Sequence, residues 1–236
     1  MTNEIRTVLI KLSGEALARD GEKYSTQVLE SIASQISKLL EKNLKIALVC
    51  GGGNLFRGRD LVDSHLAISR ATADYIGMLA TLQNALVLRD DFESKGIPTR
   101  VLSAISVPQL CEPYIPNRGK RHMEKGRVVI FAAGLGVPFF TTDTTAVERS
   151  LEIGADLLVL AKHGVNGLYT ADPKHDPSAE KIHQTSCTEI LEKNFKVADG
   201  SAIALAKDNN LPMKIVAVED IENILDENTG SYVEPH

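Results

Sequence analysis

The first apolar run, Thr7 to Ser13, is short, rich in β-branched residues and ended by Gly14, the pattern of a buried strand and not of a helix. From Ser25, placed as an N-cap, apolar residues recur as Val28, Leu29, Ile32, Ile36, Leu39 and Leu40, the spacing of a one-sided helix. A second strand, Lys45 to Cys50, runs into Gly51-Gly52-Gly53. Ser69 to Ser94 predicts a long helix with Ile76, Leu79, Leu82, Leu86 and Phe92 on its apolar side, closed by Pro98. Further strands are expected at Arg100 to Ile105, Arg127 to Ala133, Asp156 to Ala161 and Met213 to Val218, with helical patterns between most of them. Such alternation predicts a mostly parallel sheet. The unbroken apolar character of Val128-Val129-Ile130-Phe131 and Leu157-Leu158-Val159-Leu160 predicts that both faces are covered, hence an αβα sandwich. Gly164 to Gln184, dense in Asp, Pro, Gly, Lys and His, is expected to be an exposed loop region.

Composition narrows the class. The 236 residues allow one large α/β domain or two small ones, and no repeat or low-complexity linker divides them. Against 31 acidic residues stand 26 Lys and Arg, a net charge of −5, which argues against general nucleic-acid binding. No apolar run approaches the roughly 18 residues of a membrane-spanning helix, and the N-terminus lacks a clean apolar leader. Cys50, Cys111 and Cys187 are odd in number and widely spaced, which suits a reducing cytoplasm better than a disulfide framework or a zinc site. The six histidines show no ligand spacing, so none is assigned to a metal.

Ligands of such sheets sit beyond the carboxyl ends of the strands, where this chain places Lys11 to Gly14, Gly51 to Gly53, Gly134 to Gly136 and Lys162 to Gly167. Three consecutive glycines leave backbone N–H groups free to face a phosphate; a tight turn chosen for conformational freedom is the plainer alternative. The chain has no Walker A Gly-Lys-Ser/Thr, and Phe139 stands where a dinucleotide fingerprint needs glycine. Lys11, at a strand end, either aims its ammonium at a phosphoryl group in transfer or snorkels to solvent. Asp143 is a helix-start carboxylate that caps, or that orients a lysine or a metal–phosphate group. Arg57 and Asp74 either pair on the surface or meet a ligand, the arginine at phosphate and the carboxylate at sugar hydroxyls. Tyr169 and Asp172 read as turn residues, although a tyrosine there could stack on a purine. Asp199-Gly200 has the form of a turn or helix cap.

Taken in order, Lys11-Leu12-Ser13-Gly14-Glu15-Ala16-Leu17, Gly51-Gly52-Gly53-Asn54-Leu55-Phe56-Arg57-Gly58, Pro138-Phe139-Phe140-Thr141-Thr142-Asp143 and Tyr169-Thr170-Ala171-Asp172-Pro173 resemble bacterial uridylate (UMP) kinases of the amino acid kinase fold. The resemblance covers essentially the whole chain. It implies one domain over residues 1–236, with the nucleoside monophosphate side mainly N-terminal and the ATP side mainly C-terminal. The implied reaction is in-line phosphoryl transfer from Mg-ATP to UMP, giving UDP and ADP in de novo pyrimidine synthesis. Matched position by position, Lys11, Leu12, Ser13, Gly14, Gly53 and Arg57 would hold the ATP phosphates, and His163, Tyr169 and Asp172 would surround its adenosine. Gly52, Asp74 and the run Leu135, Gly136, Val137, Pro138, Phe139, Phe140, Thr141 and Thr142 would hold UMP. Lys11, Asp143 and Asp199 would be the charged catalytic candidates, with Asp143 organising the lysine and Asp199 a second carboxylate near the metal–phosphate region.

The same resemblance implies a cytoplasmic homohexamer, UTP as inhibitor and GTP as activator. Arg19 to Tyr24 aligns with a glycine-rich loop tied to GTP activation but lacks its Gly-Phe-Gly. The family's Gly-Thr-Gly-Asn-Pro is here Gly134-Leu135-Gly136-Val137-Pro138, and His163 and Asn166 depart from the usual Asn/Thr and Asp. Two rivals share these features: an acyl-phosphate-forming kinase of the same fold acting on carbamate, glutamate or aspartate, and a non-catalytic sensor of pyrimidine nucleotides.

Overall fold

The computed structural model describes residues 5–56, 67–171, 175–176, 178–195 and 197–236. In chain order the regular elements are β1 (Thr7–Leu12), α1 (Thr26–Glu41), β2 (Lys45–Cys50), α2 (Arg70–Ser94), β3 (Thr99–Ser103) and β4 (Glu112–Pro113). There follow α3 (Pro116–Glu124), β5 (Val128–Ala132), α4 (Thr142–Ile153), β6 (Leu157–Lys162), β7 (Leu168–Tyr169) and β8 (Lys181–Ile182). The chain closes with β9 (Gln184–Ser186), α5 (Cys187–Glu192), α6 (Gly200–Asp208), β10 (Met213–Ala217) and β11 (Ser231–Glu234).

Among the described residues nine strands form one sheet in the order β4-β3-β5-β2-β1-β6-β10-β11-β9. From β4 to β10 all neighbours are parallel; β11 runs antiparallel to β10. The central strand β1 alternates its side chains between two apolar layers. Val8, Ile10 and Leu12 meet α1 and α2 through Ile32, Leu39, Leu88 and Phe92. Leu9 belongs to the opposite layer, with Ala146 and Val147 of α4 and Ile203 of α6. This is the αβα sandwich expected from the unbroken apolar strands. No helix among the described residues is long and apolar enough to cross a membrane.

Two local expectations are corrected. Helix α2 begins after Ser69, whose hydroxyl caps the Thr72 N–H, but its core face is Ala73, Ala85, Leu88 and Phe92 with Leu82. Leu79 is 45% exposed and Tyr75 43%, so the helix is apolar on two sides and apolar spacing alone could not select the inner one. Gly164 to Gln184 is not wholly loop, because Leu168–Tyr169 pairs antiparallel with Lys181–Ile182 and Leu168 is buried. Strands of two residues are too short for a periodic signal.

Candidate active site

Lys11 follows Leu9 on the same side of β1 and is the one charged residue in that strand's apolar run, buried except for 7% of its surface. It faces the start of α4. There Thr141 is the N-cap, its hydroxyl oxygen accepting the N–H groups of Asp143 (3.1 Å) and Thr144 (3.2 Å). That cap sets Asp143 in the first turn, with Oδ1 2.7 Å from Lys11 Nζ. Burial by itself would raise the Asp143 carboxyl, but Lys11, Lys162 and a hydrogen bond from the Asp199 backbone hold it below the usual carboxylate value.

Lys162 stood in the sequence reading only as the start of a strand-end stretch, Lys162 to Gly167, with no role of its own. It ends β6, the strand beside β1, and donates from Nζ to the Val197 carbonyl at 2.5 Å. Burial pushes its ammonium below the usual lysine value; Asp143 works against that shift and Lys11 with it. A lysine closing an apolar strand was the available signal, but only the sheet order brings it to Lys11. Two ammonium groups around one ionised carboxylate leave a local excess of positive charge in a desolvated place, suited to the charge spread over a phosphoryl group in transfer.

The triple glycine has a packing cause. Gly51, Gly52 and Gly53 are all outside the left-handed region, so conformational freedom does not explain them. A Cβ on Gly14 would lie 2.3 Å from the Gly53 nitrogen and 2.8 Å from the Gly51 carbonyl oxygen. One on Gly52 would lie 2.9 Å from Ala80 Cβ and 3.1 Å from the Gly77 carbonyl oxygen of α2. The loops after β1 and β2 are thus pressed backbone to backbone and down onto the helix. Buried Asn84 of α2 completes the hold by donating to the Gly51 carbonyl at 2.7 Å.

Two cavities divide about half of the sequence candidates. The larger, about 750 Å³, is lined by Ser13, Lys162, His163, Tyr169, Phe195 and Val197 among others, room enough for a nucleoside. The smaller, about 160 Å³, is lined by Gly52, Asp74, Leu135, Val137, Phe140, Thr141 and Thr142 among others. A third, polar cavity of about 770 Å³ runs along Glu15, Arg19 to Lys23, Gly53 and Asn54. Lys162 lines the first, and Thr142, the residue before Asp143, lines the second. Arg57 and Asp172 lie outside the described residues. Asp74 pairs with Arg70 at 2.9 Å and accepts the Phe139 N–H at 2.8 Å. Phe139 itself is 66% exposed with φ +74°.

Asp199 is the N-cap of α6, accepting the Ala202 N–H at 2.9 Å, and it also accepts the hydroxyls of Thr141 and Thr144. The cap alternative for Asp199 is therefore what the fold displays, with the added task of tying α6 to α4. Among the described residues no three His, Cys, Asp or Glu side chains converge as a metal cage.

The family model for the amino acid kinase family matches residues 6–217, nine-tenths of the chain. By sequence and by its parallel sheet with the charged cluster at the strand ends, the chain belongs to the amino acid kinase family. It is 47% identical over 218 residues to the uridylate kinase of Tropheryma whipplei (strain Twist), covering 92% of this chain and 93% of that one. To the uridylate kinase of Paenarthrobacter aurescens (strain TC1) it is 46% identical over 234 residues, 98% and 94% of the two chains. The solved UMP kinase from Bacillus anthracis superposes with a TM-score of 0.93 at 37% identity, over 98% of this chain and 96% of that one. Within the amino acid kinases, this chain is a member of the uridylate kinase family.

Proposed function

We propose that the chain transfers the γ-phosphoryl group of Mg-ATP to the phosphate of UMP, giving UDP and ADP. The observation that carries this reading is the Lys11–Asp143 pair at 2.7 Å, joined by Lys162, which lines a cavity of nucleoside size, and next in the chain to Thr142, which lines a smaller one. The attacking atom is a phosphate oxygen, largely ionised at neutral pH because the second phosphate pKa is near 6. No general base is then required, which agrees with an Asp143 carboxylate whose pKa is lowered and whose neighbours are two lysines. Asp143 instead fixes Lys11, while the Val197 carbonyl holds Lys162, and the two charges meet the phosphoryl oxygens in line between donor and acceptor. Magnesium, borne on the ATP phosphates, supplies further neutralisation of their charge.

In this reading Lys11, Leu12, Ser13, Gly14, Gly53 and Arg57 hold the ATP phosphates, while His163, Tyr169 and Asp172 surround adenosine. Gly52, Asp74 and Leu135 through Thr142 hold UMP, Asp74 by its ribose hydroxyls. Asp199 positions the start of α4 through Thr141 and Thr144. Leu135 and Val137 bring apolar side chains to the small cavity, so backbone groups of that segment carry the polar contacts to the base. The acceptor side is mainly N-terminal and the ATP side mainly C-terminal within one domain. The enzyme acts in pyrimidine nucleotide synthesis in the cytoplasm as a homohexamer, inhibited by UTP in the acceptor pocket. GTP activation is a separate property, carried by a loop, Arg19 to Tyr24, that lacks the family's Gly-Phe-Gly.

Chromatography of the products from Mg-ATP with UMP, and with carbamate, glutamate or aspartate in its place, tests the assignment. UDP formed only with UMP is expected. ADP formed only with an acyl acceptor would overturn it, and nucleotide binding without any turnover would point to a sensor.

A further inference from the structure

Helix α4 buries a guanidinium that the phosphoryl-transfer reading leaves unused. Arg149 is only 5% exposed, unusual for an arginine. Its Nη1 pairs with Glu152 at 2.6 Å, and its Nη2 donates to the Gly134 carbonyl at 3.1 Å. The guanidinium carbon lies 3.6 Å from the centroid of the Tyr114 ring. Tyr114 donates its hydroxyl to the same Glu152 and meets Phe131 of β5 edge-on, with centroids 5.3 Å apart. Among the described residues Arg149 Nε has no partner. A buried ion pair is a weak source of stability compared with apolar packing, and an unpaired buried donor is destabilising. Stability alone therefore does not account for this cluster.

What Arg149 holds is the start of the segment that lines the small cavity. Ala133 has φ +61° and Gly134 φ +59°, two successive left-handed residues, the first of them carrying a side chain. Such a backbone costs roughly 1–2 kcal/mol for alanine and persists only where its surroundings impose it. Thr81 of α2 accepts the Ala133 N–H at 2.9 Å, and Arg149 fixes the next carbonyl, that of Gly134. In a planar trans peptide the C=O and the following N–H point in opposite directions, so a fixed Gly134 carbonyl also fixes the direction of the Leu135 N–H. Leu135 is the first residue of the run read above as holding UMP.

We infer that Arg149, braced by Tyr114 and Glu152, is a positioning residue for the acceptor nucleotide: it sets the Gly134–Leu135 peptide from which the UMP-side segment departs. This rests on the reading of Leu135 to Thr142 as that segment. The planar fork matters because two of its nitrogens serve Glu152 and Gly134 at once while its face lies on Tyr114; a lysine keeps the charge but cannot do all three.

The test compares Arg149→Lys and Arg149→Met with Asp74→Asn, measuring kcat, KM for UMP, KM for ATP and thermal stability of each. Both Arg149 variants are expected to raise KM for UMP roughly tenfold, the loss of one charge-assisted hydrogen bond, with KM for ATP within about twofold. The lysine variant, which retains the charge opposite Glu152, guards against a failure of the methionine variant to fold. A lowered melting temperature with both KM values unchanged, or both raised alike, overturns the inference. Asp74→Asn separates the two claims: a rise in its UMP KM beside unaffected Arg149 variants sinks the inference alone. No UMP effect in any of the three sinks the UMP reading of the segment along with it.

Discussion

The Asp74 carboxylate accepts the Phe139 N–H at 2.8 Å and pairs with Arg70 at 2.9 Å, joining the first turn of α2 to the segment after β5. Phe139 carries φ +74°, a conformation that a bulky residue adopts only when held, and Asp74 is the holder. Replacement by asparagine keeps an oxygen for Phe139 and loses only a pair whose arginine side chain is 62% exposed, so stability should change by less than about 1 kcal/mol. The charge proposed to meet ribose hydroxyls is lost as well. Asp74→Asn is therefore expected to raise KM for UMP by about tenfold or more in steady-state assays, leaving KM for ATP unchanged.

The close approach of the two glycine loops gives a second prediction. Gly14→Ala places a methyl group 2.3 Å from the Gly53 nitrogen and should cost at least about 2 kcal/mol, several degrees of melting temperature, together with most of the turnover. Gly21→Ala is the control. Its φ of +85° makes alanine strained, by about 1 kcal/mol, but nothing lies within 4 Å of the new carbon and activity should persist. Equal melting and equal activity of the two variants would remove the packing explanation.

Much of this was legible in the sequence because buried parallel strands announce themselves: β2, β5 and β6 carry apolar runs that stop at Gly51, Ala132 and Lys162, and β1 is one interrupted only by Lys11. The inner face of α2 was not, because Leu79 and Tyr75 make its outer face apolar as well. Lys11 and Asp143 could be named as candidates, yet their contact joins residues 132 positions apart and Lys162 enters only through the β1–β6 pairing. The antiparallel β11 was missed for a similar reason, since four residues that alternate buried and exposed carry little signal until Ile215 and Met213 pair with them. Arg149 lacked any signal. An arginine in a helix reads as solvated until Tyr114, Glu152 and Gly134 are seen around it.

The titration of Lys162 sets an alkaline limit. In the proposed reaction its charged form serves the phosphates, and its pKa in the free protein is depressed by burial below the ordinary 10.5. As pH rises, kcat/KM for ATP, which reports the free enzyme, should therefore fall at a pH below that of an ordinary lysine. Lys162→Arg cannot lose its proton in that range, so its alkaline limb should move to higher pH even where its maximum is lower. The same limb in both proteins would assign it to another group.

Thiol chemistry offers an independent check on burial. Burial pushes the Cys50 thiol to about 12 and Cys187 to about 11, leaving almost no thiolate at pH 8. Mass spectrometry after iodoacetamide treatment of the folded protein should show at most one adduct, on half-buried Cys111, against three in urea. Alkylation of Cys50 in the folded protein would contradict its place beneath the glycine loop.

The ion pair at the centre of the site is tested most directly by measuring kcat and UMP affinity for Asp143→Asn, which keeps the shape of the side chain and removes its charge. Without the carboxylate, Lys11 and Lys162 repel each other and Lys11 loses the group that orients it, while the small cavity proposed to receive UMP keeps its lining. A fall in kcat of at least about a hundredfold with the UMP dissociation constant within a few-fold of the parent is expected. Near-parental kcat would contradict the account, because the 2.7 Å pairing of Lys11 with Asp143 would then be structural and the transfer would be driven from elsewhere.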